Sequence, residues 1–304
     1  MDSISLNDYY TNLKLSGIRT KKGDGNYLWI KHESFSVIRF PEFITSVPVE
    51  SEIKGVFSEL NCLLISYCNA SNEAQKGNAV IYNCCDQDYN HNNLSKNVIR
   101  DIKIGRKNLS ISFVDWHEIL EYGFKAFQDT RTRVGLSDGN KNNFENRFRN
   151  FSKNEGHKAL AAKLNGEIVA FMSLIVVNNF VIIQGSFSTD EHRKLCPNNL
   201  LTDFLLNYFL KENNFDNVSY GLSSIQEDTS IEGLHNYKIR VGFDPINIQR
   251  VFLLHPYIAP FQEIISKFLK ILLLVFPKHR LIRKASGLFQ HLNKPEWKTL
   301  QKHM

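Results

Sequence analysis

Lys238 and Arg240 stand in the stretch "EGLHNYKIRVGF", Glu232 to Phe243, among the apolar Leu234, Tyr237, Ile239, Val241 and Phe243. Read as a strand entered by a turn at Gly233 and left at Gly242, the stretch alternates. Tyr237 and Ile239 then share one face, and Lys238 and Arg240 the other. Two cations on one face suit an anionic ligand. A lysine so placed can hold a phosphate or stabilise the oxyanion of a tetrahedral intermediate. The plainer reading is a solvent-facing lysine with its stem laid on apolar surface, beside an exposed arginine.

A second constellation lies in "HRKLCPNNLL". Arg193 and Lys194 are candidate phosphate clamps, and the helix that follows Pro197 offers unpaired N–H groups to an anion. Asn198 and Asn199 are suited to capping that helix, or one of them to pointing its amide at a substrate. An amine acceptor must lose a proton, so a base is needed near the reacting carbonyl. Glu227 and Asp228, in "SSIQEDTSIEG", and His235 are the candidates. The histidine is the better tuned near neutral pH. Ser223, with Ser224, could hydrogen-bond substrate at a strand end. No G-x-S-x-G elbow supports a serine triad, and chemistry assisted by the substrate itself, without a dedicated base, stays open.

In the first half, Arg100 and Lys103 belong with Lys96, Arg106 and Lys107 to the polar side of an amphipathic pattern. That pattern is a solvated cationic face or a surface for a phosphate-bearing sugar nucleotide, lipid-linked intermediate or tRNA. No aromatic residues interleave it, which argues against a single-strand nucleic-acid platform. His91, His157 and His192 are scattered, and neither HExxH nor paired cysteines occur, so no metal site is expected.

These residues need elements to carry them. "YLWI", "FSVIRF" and "ITSVPV" read as short strands, and "CLLISYC" and "NAVIYNC" as buried ones. Leu94, Val98, Ile99, Ile102 and Ile104 predict a helix ending at Gly105, followed by the strand "LSISFV". A helix capped by Asp115 comes next, then another carrying Phe144, Phe148 and Phe151. Strands are expected at 158–164, 167–176 and 180–185, joined by "NG" and "NN" turns. A helix follows from "LLTDFLLNYFL", then a strand at "NVSYGLSS", a turn or helix, and strands at "HNYKIRVGF" and "DPINIQRVFLL". The order fits an α+β arrangement rather than a βαβ repeat, and no G-x-G-x-x-G or P-loop motif occurs.

The chain of 304 residues, 42% hydrophobic with a formal charge of +6, can bury a sizeable core and is mildly basic. The five cysteines form no CxxC pair, which is read as reduced thiols in a cytoplasmic protein. "MDSISLNDYY" lacks the features of a signal peptide, and no apolar run reaches the length of a spanning helix. From Pro256 the chain turns apolar in "APFQEIISKFLKILLLVF" and then basic in "PKHRLIRKASGLFQHLNK". This tail reads as a helix docked on the body or as an interfacial helix over residues 261–284 making peripheral membrane contact.

The ordered set "NGEIVAFMSL", "CPNNLLTDFLL", "NVSYGLSS" and "GLHNYKIRVGF" resembles the Fem-like peptidyltransferases and their relatives with the GNAT (N-acetyltransferase) fold. "NVIRDIKIGRKNLSI" is similar to the basic helix of that group. The resemblance covers residues 90–255 better than the first ninety. It implies tandem GNAT-like domains with mixed central sheets flanked by helices: a degenerate one over 1–150, a second over 151–255, and a helical tail over 256–304. It implies acyl transfer to an amine of an amino sugar, amino acid or cell-envelope intermediate, with acyl-CoA as donor. Aminoacyl-tRNA is the alternative donor, and a non-catalytic binding protein the alternative to an enzyme. Lys238 falls at the lysine of the family's "fK" element. The family's glycine-rich pyrophosphate loop is replaced here by "HRKLCPNNLL", which has no glycine.

Overall fold

The computed structural model describes residues 3–32, 35–71, 77–135, 139–224, 230–276 and 280–292. The chain forms two compact units, one of Met1–Ile18 with Ser71–Gln249, the other of Arg19–Ala70 with Arg250–Met304. These units cut across the spans 1–150, 151–255 and 256–304 expected from the sequence.

The first unit opens with helix α1 (Leu6–Leu15), capped by Ser5 and burying Leu6, Tyr9 and Leu13. The other elements of this unit follow, each numbered by its place in the whole chain. They are β5 (Ala79–Cys84), α3 (Lys96–Asn108), β6 (Ser110–Val114), α4 (Trp116–Tyr122), α5 (Phe124–Arg133), α6 (Lys141–Phe151), β7 (His157–Leu164), β8 (Glu167–Val177), β9 (Phe180–Ser188), α7 (Pro197–Leu206), β10 (Asn217–Ser224), α8 (Ser230–Arg240) and β11 (Asp244–Leu254). The first half of β11 lies in this unit. The sheet order is β11-β5-β10-β9-β8-β7-β6. All ladders are antiparallel except β9 with β10.

Side chains alternate across that sheet, so its two faces bury different residues. Leu160 and Ala162 of β7 join Val98 and Ile102 of α3 and the leucines of α7 in one core. Ala159 and Ala161 join Trp116, Phe127, Phe144 and Phe148 of α4, α5 and α6 in another. The "NG" turn between β7 and β8 is observed with both residues at positive φ, Asn165 at 52° and Gly166 at 90°, as a tight hairpin turn requires.

Helix α3 does not stop at Gly105. It runs three residues further, and Gly105 is buried where α3 meets α7. A Cβ there would lie 2.8 Å from Leu200 Cβ, so the glycine sets a close helix crossing rather than an end. The larger difference is at "HNYKIR": the expected strand is the helix α8. Its inward side carries His235 and Lys238, so polar residues occupy positions where a helical pattern would show apolar ones.

In the second unit, β1 (Thr20–Lys22), β2 (Leu28–His32), β3 (Ser36–Phe40) and β4 (Leu64–Ala70) line up in chain order, with the last residues of β11 beside β4. The β3–β4 ladder is parallel, and the two before it are antiparallel. The expected strand at "ITSVPV" is absent; helix α2 (Glu50–Leu60) follows instead and buries Ile53, Val56, Phe57 and Leu60. The core here holds a buried Arg39 against the Tyr27 and Tyr67 rings, its ring-face contacts both at 5.2 Å, with its guanidinium bonded to the carbonyls of Ile44, Ser46 and Cys68. Helices α9 (Gln262–Val275) and α10 (Arg280–Leu292) close the unit. The expected α+β class, mixed sheets flanked by helices with further helices at the C-terminal end, is observed.

Candidate active site

The parallel ladder between β9 and β10 is short. It joins Asn217–Ser219 to Phe180–Ile182. Past Ser219, β10 shifts register against β5 by Leu222, with Gly221 at φ +73°. Gly221 permits this bulge, since a side chain would be strained at that φ. The far half of β9, from Ile183 to Ser188, stays paired with β8. The two strands therefore part at Tyr220, and α7 begins close to the end of β9.

At that mouth lies an open cleft of about 270 Å³, lined by Asp101, Ser188, Arg193, Cys196, Pro197, Asn198, Asn199, Tyr237 and Arg240. Cys196 sits at φ +54° and places Pro197 in the first turn of α7, an N-terminus that no side chain caps. Proline suits that position because its missing N–H would have no helical partner. The N–H groups of the first turn and the positive end of the helix dipole make this a place for negative charge.

The asparagines have distinct partners. Asn198 donates from Nδ2 to Ser188 Oγ at 3.2 Å and accepts at Oδ1 from Ser186 Oγ at 3.3 Å. Asn199 donates to Asp101 Oδ2 at 3.2 Å, and Arg100 reaches the other oxygen of that carboxylate at 3.1 Å. Neither asparagine side chain caps α7, so the expected capping role is not observed. Ser188 also accepts from Arg133 at 3.2 Å, and Arg133 pairs with Asp190. Asp101 is the acidic member of the lining, and Arg193 and Arg240 are its exposed cations.

Lys238 is not part of this lining. A helix turns about 100° per residue, so Lys238 and Arg240 face roughly opposite ways rather than sharing a face. Arg240 opens to the cleft, whereas Lys238 is 3% exposed. Its ammonium lies 4.3 Å from the centre of the Tyr82 ring and 4.8 Å from that of Tyr220. It donates to the Tyr220 carbonyl at 3.1 Å, at the point where β9 and β10 separate. His235, one turn earlier, hydrogen-bonds through Nδ1 with the Tyr82 hydroxyl. Tyr220 is bonded to Ser186, which links it to Asn198 in the cleft; burial pushes its phenol up to about 12. Burial likewise raises the Tyr237 phenol, whose hydroxyl meets Thr202 Oγ1 at 3.2 Å.

Of the residues singled out in the sequence, the cleft thus gathers Arg193, Asn198, Asn199 and Arg240, with Arg100 behind Asp101. Lys194 and Lys103 are exposed and stand outside the lining. Ser223 is described through its backbone, paired with Val80 of β5, and Glu227 lies outside the described residues. Ser186, Ser188, Tyr220 and Tyr237 are additions from the structure. The described residues contain no cluster of three or more His, Cys, Asp or Glu that could hold a metal ion.

No family model matches the sequence, and no curated protein sequence matches it. Among solved structures, the chain is similar to FemX, with 11% identity over 86% of this chain and 94% of that one and a TM-score of 0.60. The chain has the fold seen in FemX. The same fold is seen in the C-terminal domain of a putative lysylphosphatidylglycerol synthetase from Agrobacterium fabrum, at 13% identity, 79% and 85% coverage and a TM-score of 0.52. L-PGS from Bacillus licheniformis shares it at 12% identity, 88% and 98% coverage and a TM-score of 0.52. Within this Fem-like fold the parted strands β9 and β10 and the uncapped start of α7 are the features that shape the site.

Proposed function

We propose that the protein is an acyltransferase that moves an acyl group onto an amine of a small amino compound or cell-envelope intermediate, with acyl-CoA as donor. The observation that carries this reading is the meeting of parted strands β9 and β10 with an uncapped helix N-terminus flanked by Arg193 and Arg240. The phosphates of the donor would lie against the first turn of α7, and the acyl arm would enter between the strands toward Tyr220. The amine nitrogen then attacks the thioester carbonyl, the C–N bond forms, the C–S bond breaks, and the thiol leaves with the proton that the amine gives up.

Lys238 is the candidate for stabilising charge on the carbonyl oxygen, by virtue of its place at the strand separation and its match to the Fem-like "fK" lysine. The aromatic rings on either side hold its ammonium in a low-dielectric setting, where a fixed charge acts more strongly than in water. His235 would take the proton from the amine and pass it to the departing thiolate. Asn198, held by Ser186 and Ser188, presents a rigid wall to the donor.

A second reading rests on a specific observation. The neighbours with TM-scores above 0.5 include FemX, a domain of a putative lysylphosphatidylglycerol synthetase and L-PGS, and the loop "HRKLCPNN" has no glycine. An aminoacyl ester of tRNA would then be the donor, its phosphates meeting the same cations.

Titration calorimetry with acetyl-CoA on the full chain, wild type and Arg193→Ala, separates the readings. Micromolar binding weakened by the substitution supports the acyl-CoA donor. No heat with acetyl-CoA, together with binding of an aminoacyl-tRNA, transfers the role to the second donor. Binding of neither overturns the acyltransferase reading.

A further inference from the structure

Helix α9 carries apolar side chains outward as well as inward, where Ile265, Leu269, Leu272 and Leu273 are half-buried. Its buried residues are Gln262 and Ser266, and Gln262 donates to the Leu292 carbonyl of α10 at 2.8 Å. The side chains it turns outward are Ile264, Phe268, Ile271 and Val275, with Phe268 58% exposed; Phe261 precedes them and Leu274 borders them at 84%. Ile264, Phe268, Ile271 and Val275 recur at intervals of four, three and four, so they form one stripe along the helix. Lys267 and Lys270 are exposed beside it. Glu263 is the acidic residue of the first turn, and from Ser266 to Pro295 the sequence carries lysines and arginines but no acidic residue.

We infer that this face of α9 docks the protein onto an anionic lipid surface, with the helix lying in the plane of the interface. Two arguments choose a bilayer over a second copy of the chain. A symmetric dimer would set Lys267 and Lys270 against themselves, whereas anionic headgroups complement them, and lysine stems reach outward from an apolar stripe to the headgroups. The stripe is also small. Fourteen residues give a helix about 21 Å long, and one face of it falls well short of the roughly 800 Å² per partner of a stable protein interface. No described helix is long and apolar enough to cross a membrane, so the stripe is suited to lie on the surface. This inference is independent of the acyl-transfer reading.

The test is co-sedimentation of the full chain with vesicles of equal parts phosphatidylglycerol and phosphatidylcholine, and with phosphatidylcholine alone. Three proteins are compared: wild type, Phe268→Asp/Ile271→Asp, and Lys267→Glu/Lys270→Glu. Light scattering of the same samples reports oligomeric state, and thermal unfolding checks that each variant is folded. The wild type is expected to bind the anionic vesicles and to leave them at high salt. The aspartate pair should reduce binding at least tenfold, and the glutamate pair should remove the preference for phosphatidylglycerol. The inference is overturned if wild type stays in the supernatant, if the aspartate pair binds as well as wild type, or if that pair instead breaks a dimer that ignores vesicles.

Discussion

The ammonium of Lys238 sits 4.3 Å from the centre of the Tyr82 ring, and the same ring's hydroxyl is bonded to His235. One aromatic side chain of β5 thereby fixes both inward-facing polar residues of α8. A lysine kept in such a place exchanges hydration for ring faces and a carbonyl, worth about 2 kcal/mol or more when desolvated.

Replacing Lys238 by Met keeps the length of the stem and removes the charge. If the ammonium stabilises the transition state, turnover should fall about 100-fold or more, with donor binding unchanged. A purely structural lysine would lower the unfolding free energy and leave the rate per folded molecule intact. Steady-state kinetics beside a denaturant titration tells the two apart.

Arg240→Ala removes a cation that faces the cleft. Binding of the anionic donor should weaken about tenfold, or ~1.4 kcal/mol, and the affinity should depend less steeply on salt. Lys103→Ala, on the exposed side of α3 and outside the cleft lining, should leave both unchanged.

Gly105→Ala tests the helix crossing. Alanine is the better helix former by about 1 kcal/mol, yet its Cβ would meet Leu200 Cβ at 2.8 Å and the Leu195 carbonyl at 3.4 Å. The overlap should win, lowering stability by about 1–3 kcal/mol in chemical denaturation. It should also weaken donor binding, since Leu200 belongs to the first turns of α7.

His157 gives a pH signature. It stacks on Phe151 at 4.2 Å, its Nδ1 is shut off from solvent without a partner, and burial, then Arg147, lowers it from 6.5 to about 3. The unfolded chain takes up a proton at that histidine below pH 6.5 and the folded one does not. Stability should therefore drop as pH falls from 6.5 toward 3, with a slope contribution approaching ~1.4 kcal/mol per pH unit. The His157→Phe variant should show a shallower fall over the same window in thermal or urea unfolding.

Asp203 is 2% exposed and gathers Arg106 at 2.7 Å, His91 at 2.6 Å and Asn207 at 3.2 Å. Arg106→Ala should cost about 1–3 kcal/mol, more than loss of a surface charge, because a buried carboxylate loses a donor. Urea unfolding of Arg106→Ala and Lys107→Ala side by side checks this.

Much of the first unit is legible in the sequence. The hairpins from β7 to β9 announce themselves by continuous apolar runs and Asn/Gly turns, and Asp115 does cap α4, accepting from Glu118 N–H. Helix α8 is not legible as such. Tyr237, Ile239, Val241 and Phe243 do alternate, but the helix ends at Arg240, and Val241 and Phe243 are buried in the short connection between it and β11. Arg193, Asn198 and Asn199 could be picked out because they flank a proline at a helix start. Ser186, Ser188 and Tyr220 could not, since the parting of two strands brings them together. The glycine inside "SYGLSS" is the local signal, as a glycine within a strand marks a bulge. Helix α2 carried a readable signal in the helical spacing of Ile53, Val56, Phe57 and Leu60.

The division of the chain has a consequence for its synthesis. Residues 1–18 belong with 71–249, and 19–70 belong with 250–304. A ribosome releases the chain from its N-terminus at about 5–20 residues per second, so neither unit is complete when its first segment emerges. Helix α1 must wait for β8 before Ile4 can pair with Val177, and β1 to β4 must wait for the last residues of β11. Nascent chains arrested before residue 249 would thus expose unfinished cores of both units, and binding of chaperones to such intermediates should fade once β11 has left the exit tunnel.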